Sequence, residues 1–201
     1  MDARALIDFL RVMERLKDAP RHCWTTGGRR ESVAEHSWRV ALMAMLMADE
    51  FPEADMDKVI RMCLIHDIGE AITGDIPTFL KTDADRVVEG KEVDALIGNL
   101  PAPWPETLGA LFEEMDAQQT TEAKIYKALD RMEAIQSHNE SDVATWLPLE
   151  YELNLTYGEK DAAFSPYLTN LRAEMRRDTE AMIEDARRRG IAPENAPDRC
   201  R

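Results

Sequence analysis

The stretch LIHDIGEAITGDIP at residues 64–77 sets a histidine directly beside an aspartate within an apolar helical pattern. Neighbours on a helix point about 100° apart, so His66 and Asp67 can share an ion only at the helix edge. Glu70 follows four residues after His66 and three after Asp67, which places its carboxylate on the same side. An isolated pair of this kind is more often a packed histidine beside a solvated charge. The pair therefore indicates a site only if other motifs accompany it.

Two accompanying motifs supply the further residues that such a site needs. ESVAEHSWRV at residues 31–40 carries His36, and EAKIYKALDRMEA at residues 122–134 carries Asp130. Imidazole nitrogens and carboxylate oxygens are ligands for divalent metals of intermediate to hard character. The order His, His-Asp, Asp along the chain is far more specific than the His-Asp pair alone.

These motifs, with the GEAITGDIP continuation, resemble the HD-domain phosphohydrolases and look most like their 5′-deoxynucleotidase branch, over about residues 6–140. The resemblance implies an all-helical fold and one divalent cation, with the ligands His36, His66, Asp67 and Asp130. Such a donor set suits Mn, Co, Fe(II) or Mg. Relatives of the fold that hold two metals need extra histidines before the last aspartate. Residues 68–129 contain none, which favours a single metal.

The resemblance also implies catalytic roles for two acids. Glu70 is the candidate for orienting the attacking water or exchanging its proton. The substrate loop of the family corresponds to Asp75, Ile76, Pro77 and Thr78. Asp75 is expected either to contact the sugar hydroxyl or to serve the leaving oxygen, and the alternative is a turn residue that caps backbone amides.

The loop before the first metal histidine is expected to bind the substrate. By resemblance, Arg21 holds the phosphate and Trp24 packs against the sugar, where an indole favours deoxyribose. Two residues separate Arg21 from Trp24 here, whereas the bacterial branch has them adjacent. Arg29 and Arg30 are alternatives for the phosphate contact, and Lys81 is a weaker one.

Composition and periodicity favour one all-α domain, a helical bundle over residues 1–190. The 201 residues are 44% hydrophobic and 32% charged with 9 Gly, which suits helices with solvated outer faces. The first predicted helix sets Leu6, Leu10, Met13 and Leu16 on one apolar face, the second starts at Ser32, and the third runs from Asp55 or Asp57 to about Ala71. Further helices are predicted at 83–100, 108–115, 121–137 and 165–190. Residues 21–30 and 146–156 are predicted to be irregular, and residues 191–201 to be a disordered tail.

The net charge of −14 argues against a nucleic-acid polymer as partner, because a surface this negative repels a polyanion. The sequence has no basic leader and no run of 18 apolar residues, so we expect a cytoplasmic protein without a membrane partner. Its 3 cysteines are expected to be free thiols, and His138 to be a surface or packing residue. A homodimer is suggested by the family resemblance alone.

The leading functional hypothesis is removal of the 5′-phosphate from a small deoxyribonucleoside 5′-monophosphate. One alternative is hydrolysis of a nucleoside triphosphate or an alarmone-type pyrophosphate. That substrate needs several basic groups, and few lie near the motifs. A second alternative is a metal-stabilised helical adaptor without catalysis. The presence of Glu70 and Asp75 beside a complete set of metal-ligand residue types favours an enzyme.

Overall fold

The computed structural model describes residues 1–191, and these residues are mainly helical. The helices are α1 Ala3–Met13, α2 Val33–Leu46, α3 Met56–Ile65, α4 Glu70–Thr73, α5 Asp83–Gly98, α6 Trp104–Ala117, α7 Thr121–Glu140, α8 Glu150–Thr156, α9 Glu159–Ala162 and α10 Pro166–Arg188. Two short strands, β1 Pro20–Trp24 and β2 Arg30–Ser32, pair in one sheet. The predicted all-α class is confirmed. Within residues 1–191, no helix combines the length and the apolar character needed to cross a membrane.

The chain groups into two compact units. The first unit comprises Met1–His22 and Glu31–Tyr126, and the second comprises Cys23–Arg30 and the chain from Lys127 on. The predicted single domain over residues 1–190 stays a prediction, because one domain can contain two compact units. The predicted disordered tail lies outside the described residues except for Ile191, which packs against the core of the second unit.

Each unit has its own hydrophobic core. The buried residues of the first core are Leu16, Ala19, Val33, Ile68, Ala71, Val93 and Ile97. Those of the second are Val143, Trp146, Tyr151 and Ala186. In the first unit α2 packs along α3, and in the second unit α8 and α9 pack on α10. Burial of these apolar surfaces is the main stabilising term in each unit.

Local capping signals place several helix starts as predicted. Ser32 and Glu35 form the expected capping box at α2, in which each side chain accepts a hydrogen bond from the other's backbone amide. Ser165 caps α10 with Pro166 in its first turn, and Gly190 follows its end at φ 69°. The helix predicted at residues 108–115 begins earlier, because Pro105 fits the first turn of α6.

The helix predicted to run from about residue 55 to residue 71 is interrupted. Helix α3 ends at Ile65, and a tight turn leads to α4, which begins at Glu70. Gly69 lies in this turn, where an added Cβ would come within 2.8 Å of Val93 Cγ2 on α5. The close approach of α5, which periodicity does not reveal, accompanies the break. The turn sets His66 and Asp67 at the end of α3 rather than inside a helix.

Residues 21–30, predicted to be a loop, contain most of a β-hairpin. The Thr25 amide donates to the Arg29 carbonyl at 2.8 Å, and the Gly28 amide donates to the Thr25 carbonyl at 3.0 Å. Gly28 adopts φ 77°, a left-handed conformation that glycine accepts without strain. Strands of five and three residues are too short to give a reliable alternation signal, so the sequence pattern missed them.

Two other expectations need correction, one about which face of α1 is buried and one about a segment predicted to be irregular. Leu6 and Leu10 of α1 are 42% and 53% exposed, and Phe9 and Val12 contact the core instead. The segment 146–156, predicted to be irregular, contains α8. Its buried residues Tyr151 and Asn154 are three positions apart, which is helical spacing that the alternating leucines obscure.

Candidate metal and active site

Three of the four predicted metal ligands converge in the first unit. His36 Nε2 lies 3.2 Å from His66 Nε2, and Asp67 Oδ2 lies 3.0 Å from His66 Nε2 and 3.8 Å from His36 Nε2. The three ligand atoms all fall within 4.8 Å of one another. His36 is 0% exposed in the first turns of α2, and the end of α3 presents His66 and Asp67.

A backbone carbonyl fixes the orientation of the His66 ring. His66 Nδ1 lies 2.8 Å from the Cys63 carbonyl oxygen. A carbonyl oxygen can only accept a hydrogen bond, so Nδ1 carries the proton and Nε2 of the neutral ring is left with its lone pair. Metal-binding histidines are commonly held in this way. The donor set of two imidazole nitrogens and a carboxylate oxygen fits a divalent metal.

Arg21 stands beside this cluster with most of its side chain buried. Its Nη1 lies 3.8 Å from Asp67 Oδ2, and its Nε lies 3.3 Å from Glu31 Oε2. Only 11% of the Arg21 side chain is exposed. A guanidinium held between two carboxylates has a defined direction, which suits recognition of a phosphate. Glu31 was not among the predicted site residues, and its only signal in the sequence is its place in the His36 motif.

Glu70 lies in an environment that favours its neutral form. It is 4% exposed, and its Oε2 has no hydrogen-bond partner among the described residues. Burial raises the pKa of Glu70 from 4.5 to about 9, the negative charges of Asp67 and Asp75 add to the effect, and Lys81 opposes it. Near neutral pH the group therefore keeps its proton in the metal-free protein, and it can act as a base only where a nearby positive charge favours its ionised form.

Asp75 shares this buried acidic environment. Burial raises its pKa, with a further contribution from Asp67, while the charges of Arg21 and Lys81 oppose the shift. Gly74, at φ 74°, turns the chain from α4 into the predicted substrate loop. Ile76 and Pro77 are partly buried and Thr78 is exposed. The loop is closed by Leu80 and Lys81, whose amides donate to the Pro77 carbonyl at 2.7 and 3.0 Å.

Lys81 is engaged by carboxylates. Its Nζ bonds Glu89 Oε2 and lies 3.6 Å from Glu70 Oε1. Burial alone would lower the pKa of Lys81, but the hydrogen bond to Glu89 and the surrounding negative charges raise it. The ammonium group therefore balances the charge of the acidic cluster. Sequence reasoning missed Glu89, which carries no motif and reaches Lys81 only through the packing of α5.

The second unit holds the other predicted site residues. Asp130 Oδ2 accepts a hydrogen bond from Lys127 Nζ at 2.7 Å on the same face of α7. Trp24, at the end of β1, has the guanidinium carbon of Arg30 at 5.1 Å from its ring centroid. Arg29 Nη1 donates to the Arg30 carbonyl at 3.0 Å. Arg29 and Arg30 thus lie with Trp24 on the hairpin in this unit.

Comparison with known proteins finds a family match and relatives of similar sequence. The profile of the HD domain matches residues 13–172. The chain is 35% identical over 137 residues to the "5'-deoxynucleotidase HDDC2" of Homo sapiens, a match that covers 66% of each protein. The Xenopus laevis protein of the same name is 34% identical over 141 residues, covering 66% of this chain and 67% of the relative. The chain thus matches about two thirds of the length of these relatives.

A solved structure extends the similarity to nearly the whole chain. The crystal structure of a "Predicted metal-dependent phosphohydrolase" from Magnetospirillum magnetotacticum MS-1 aligns with a TM-score of 0.72 and 29% identity, over 96% of this chain and 95% of that chain. The resemblance predicted from the sequence motifs is therefore confirmed. An HD phosphohydrolase fold implies a divalent metal, to which the cluster of His36, His66 and Asp67 corresponds in chemistry. The chain belongs to the HD-domain family, in the branch whose curated relatives are 5′-deoxynucleotidases.

Proposed function

We propose that this protein hydrolyses deoxyribonucleoside 5′-monophosphates to a deoxynucleoside and inorganic phosphate. The observation that carries the proposal is the convergence of the His36 and His66 imidazole nitrogens with the Asp67 carboxylate. Arg21 and the buried acid Glu70 lie beside Asp67 and supply the groups for phosphate binding and proton transfer. The curated relatives named 5′-deoxynucleotidases support the choice of substrate.

We assign one divalent metal to His36, His66, Asp67 and Asp130. The first three are adjacent in the first unit, and Asp130 is included on the family resemblance. When bound, such a metal lowers the pKa of a water molecule that it binds and stabilises the negative charge on a phosphoryl oxygen. Nitrogen and oxygen donors without thiolate suit Mn, Co, Fe(II) or Mg. One metal per chain is expected, because residues 68–129 contain no further histidine.

The residues of the chain handle protons and charge. The reaction forms a bond between the water oxygen and phosphorus and breaks the bond between phosphorus and O5′. One proton must leave the water and one must reach O5′. Glu70 is assigned to take the first in its ionised form, which the positive charge of a bound divalent cation would favour over the protonated form seen without metal. Asp75, whose pKa is also raised, is assigned either to protonate O5′ or to bind the sugar hydroxyl.

Substrate recognition is assigned to strand β1 and to the loop at residues 75–78. Arg21 is proposed to hold the phosphate by paired hydrogen bonds. Trp24, at the end of the same strand, is proposed to pack against the sugar on the strength of the family resemblance. The indole is proposed to lie beside C2′, where it favours a deoxyribose over a ribose.

Phosphate release from matched deoxy- and ribonucleoside 5′-monophosphates, with Mn, Co and Mg each added to metal-stripped protein, tests the proposal. We expect metal-dependent release that is faster from the deoxynucleotides. The Asp67→Ala protein serves as the control for contaminating phosphatases. Release that needs no metal, or that persists in the Asp67→Ala protein, would contradict the proposal. The cytoplasmic location and the homodimer stay predictions, and sedimentation analysis would test the second.

A further inference from the structure

A buried polar network in the second unit ties the hairpin to α7 and α8. Cys23 Sγ lies 3.5 Å from His138 Nε2, and the same nitrogen lies 3.3 Å from Glu150 Oε1. Cys23 is 3% exposed and Glu150 is 1% exposed. Of the two roles predicted for His138, packing fits its mostly buried side chain, which also contacts two polar groups. His138 joins a side chain of β1 to the first residue of α8.

The chemistry of the partners places the proton in this network. Cys23 Sγ also lies 4.0 Å from the Ala134 carbonyl oxygen, to which the thiol donates. The sulfur can then act only as the acceptor toward His138, so His138 Nε2 carries the proton that points toward the sulfur. The Glu150 carboxyl group lies 3.3 Å from the same nitrogen as a neighbouring acid. One imidazole ring thus contacts both the hairpin and a buried acid.

Other hydrogen bonds hold the far end of the network in place. Glu150 Oε2 accepts a hydrogen bond from the Leu147 amide at 2.7 Å. Trp146 Nε1 donates to the His138 carbonyl at 3.0 Å, and the Trp146 ring meets the His138 ring edge to face. His138 is thus fixed through both its backbone and its side chain. Because its ring is fixed, His138 can hold the segment to which it is hydrogen-bonded in a defined position.

The segment that the His138 hydrogen bond positions is strand β1, which carries both Cys23 and Trp24. Successive side chains of a strand point to opposite faces, so a bond that holds Cys23 against α7 turns Trp24 toward the other face. Arg30 lies over the Trp24 ring in the same hairpin. Fastening one residue of β1 therefore sets the direction of the indole at the next.

We propose that Cys23, His138 and Glu150 are positioning residues that hold Trp24 in the orientation needed to distinguish deoxyribose from ribose. The inference rests on the proposed function, because it uses the contact between Trp24 and the sugar. The three residues do not touch the substrate in this account. They act by limiting the movement of the hairpin.

The test compares three variants of the full chain. Cys23→Ala removes the link while leaving the His138–Glu150 pair intact, and Cys23→Ser restores a group that both donates and accepts. Thr179→Val is the matched control, since it removes a buried hydroxyl of the same unit that donates to Asn139 Oδ1 at 2.9 Å and has no recorded bond to the hairpin. Each is measured for amide hydrogen exchange in residues 23–30 and for the deoxy-to-ribo ratio of kcat/KM.

In Cys23→Ala we expect hairpin amides to exchange roughly fivefold to tenfold faster, the factor that corresponds to losing about one net hydrogen bond. The deoxy-to-ribo ratio should fall by a similar factor and recover in Cys23→Ser, while Thr179→Val changes neither. Unchanged hairpin exchange in Cys23→Ala, or faster exchange with an unchanged ratio, would overturn the proposal. Wild-type protein without a deoxy preference would instead overturn the proposed function and with it the selectivity role. The exchange data would then still decide whether Cys23 anchors the hairpin.

Discussion

Replacement of Glu70 by glutamine should make the metal-free protein more stable while removing most of its turnover. The folded state holds the Glu70 carboxyl at a pKa of about 9, against an ordinary value of 4.5. Between these two pH values the unfolded chain is ionised at this position and the folded protein keeps the proton. The free energy of unfolding therefore falls as pH rises from about 4.5 to about 9. The Glu70→Gln protein lacks this dependence, because glutamine does not titrate.

The size of the effect at pH 7 follows from the same shift. The gap between pH 7 and the ordinary pKa of 4.5, at about 1.4 kcal/mol per unit, gives an upper bound of about 3.5 kcal/mol for the gain in Glu70→Gln. Lys81 keeps its bond to Glu89 in this variant, so the charge balance of the cluster is not lost. Turnover should fall by about 10²–10⁴-fold, the usual contribution of a proton-transfer group, with the metal retained.

Chemical unfolding in the presence of a chelator, at pH values from 5 to 9, measures the first effect. The advantage of Glu70→Gln over wild type should grow with pH. Glu113→Gln, at an exposed carboxylate of α6 in the same unit, is the control and should change neither stability nor activity. A difference that does not depend on pH would refute the account of Glu70 as a buried group that keeps its proton. Loss of the metal from Glu70→Gln would make Glu70 a ligand instead.

Three further changes test separate parts of the site. Asp67→Ala should abolish activity and lower the metal content of the purified protein below about one per chain, while circular dichroism shows that helicity is retained. Full activity in this variant, or two metals per chain in the wild-type protein, would contradict the assignment. Trp24→Ala should narrow the deoxy-to-ribo ratio of kcat/KM, whereas Arg21→Ala should slow both substrates alike, and the opposite pattern would exchange their roles. Gly69→Ala should lower the free energy of unfolding by about 1–3 kcal/mol, because its Cβ would come within 2.8 Å of Val93 Cγ2; an unchanged melting temperature would show that α5 moves freely.

Local signals in the sequence account for what could be predicted of the fold. The Ser32–Glu35 capping box and the Ser165–Pro166 start are interactions between near neighbours, so residue types at fixed spacing are enough to find them. The break at residues 66–69 could not be found in this way, because it accompanies the contact between Gly69 and Val93. The hairpin was missed because its strands are short and carry charged side chains.

The candidate site shows the same division between local and distant signals. His66, Asp67 and Glu70 are close in sequence, so their proximity could be predicted, although a turn joins them where a continuous helix was expected. The approach of His36 to them was expected from the family resemblance, and the geometry of the first unit brings the three ligand atoms within 4.8 Å. The ion pair of Lys81 with Glu89 and the role of His138 depend on contacts between distant segments. No spacing rule reports such contacts.

The proposed activity, metal-dependent hydrolysis of deoxynucleotides, is tested by kcat/KM for phosphate release from one deoxyribonucleoside 5′-monophosphate and from its ribose counterpart. Both substrates are given to the wild-type protein with the same metal. We expect a preference for the deoxynucleotide of roughly ten- to a hundredfold, which corresponds to about 1.4–2.7 kcal/mol in the barrier. Equal rates for the two substrates, or release from neither, would contradict it.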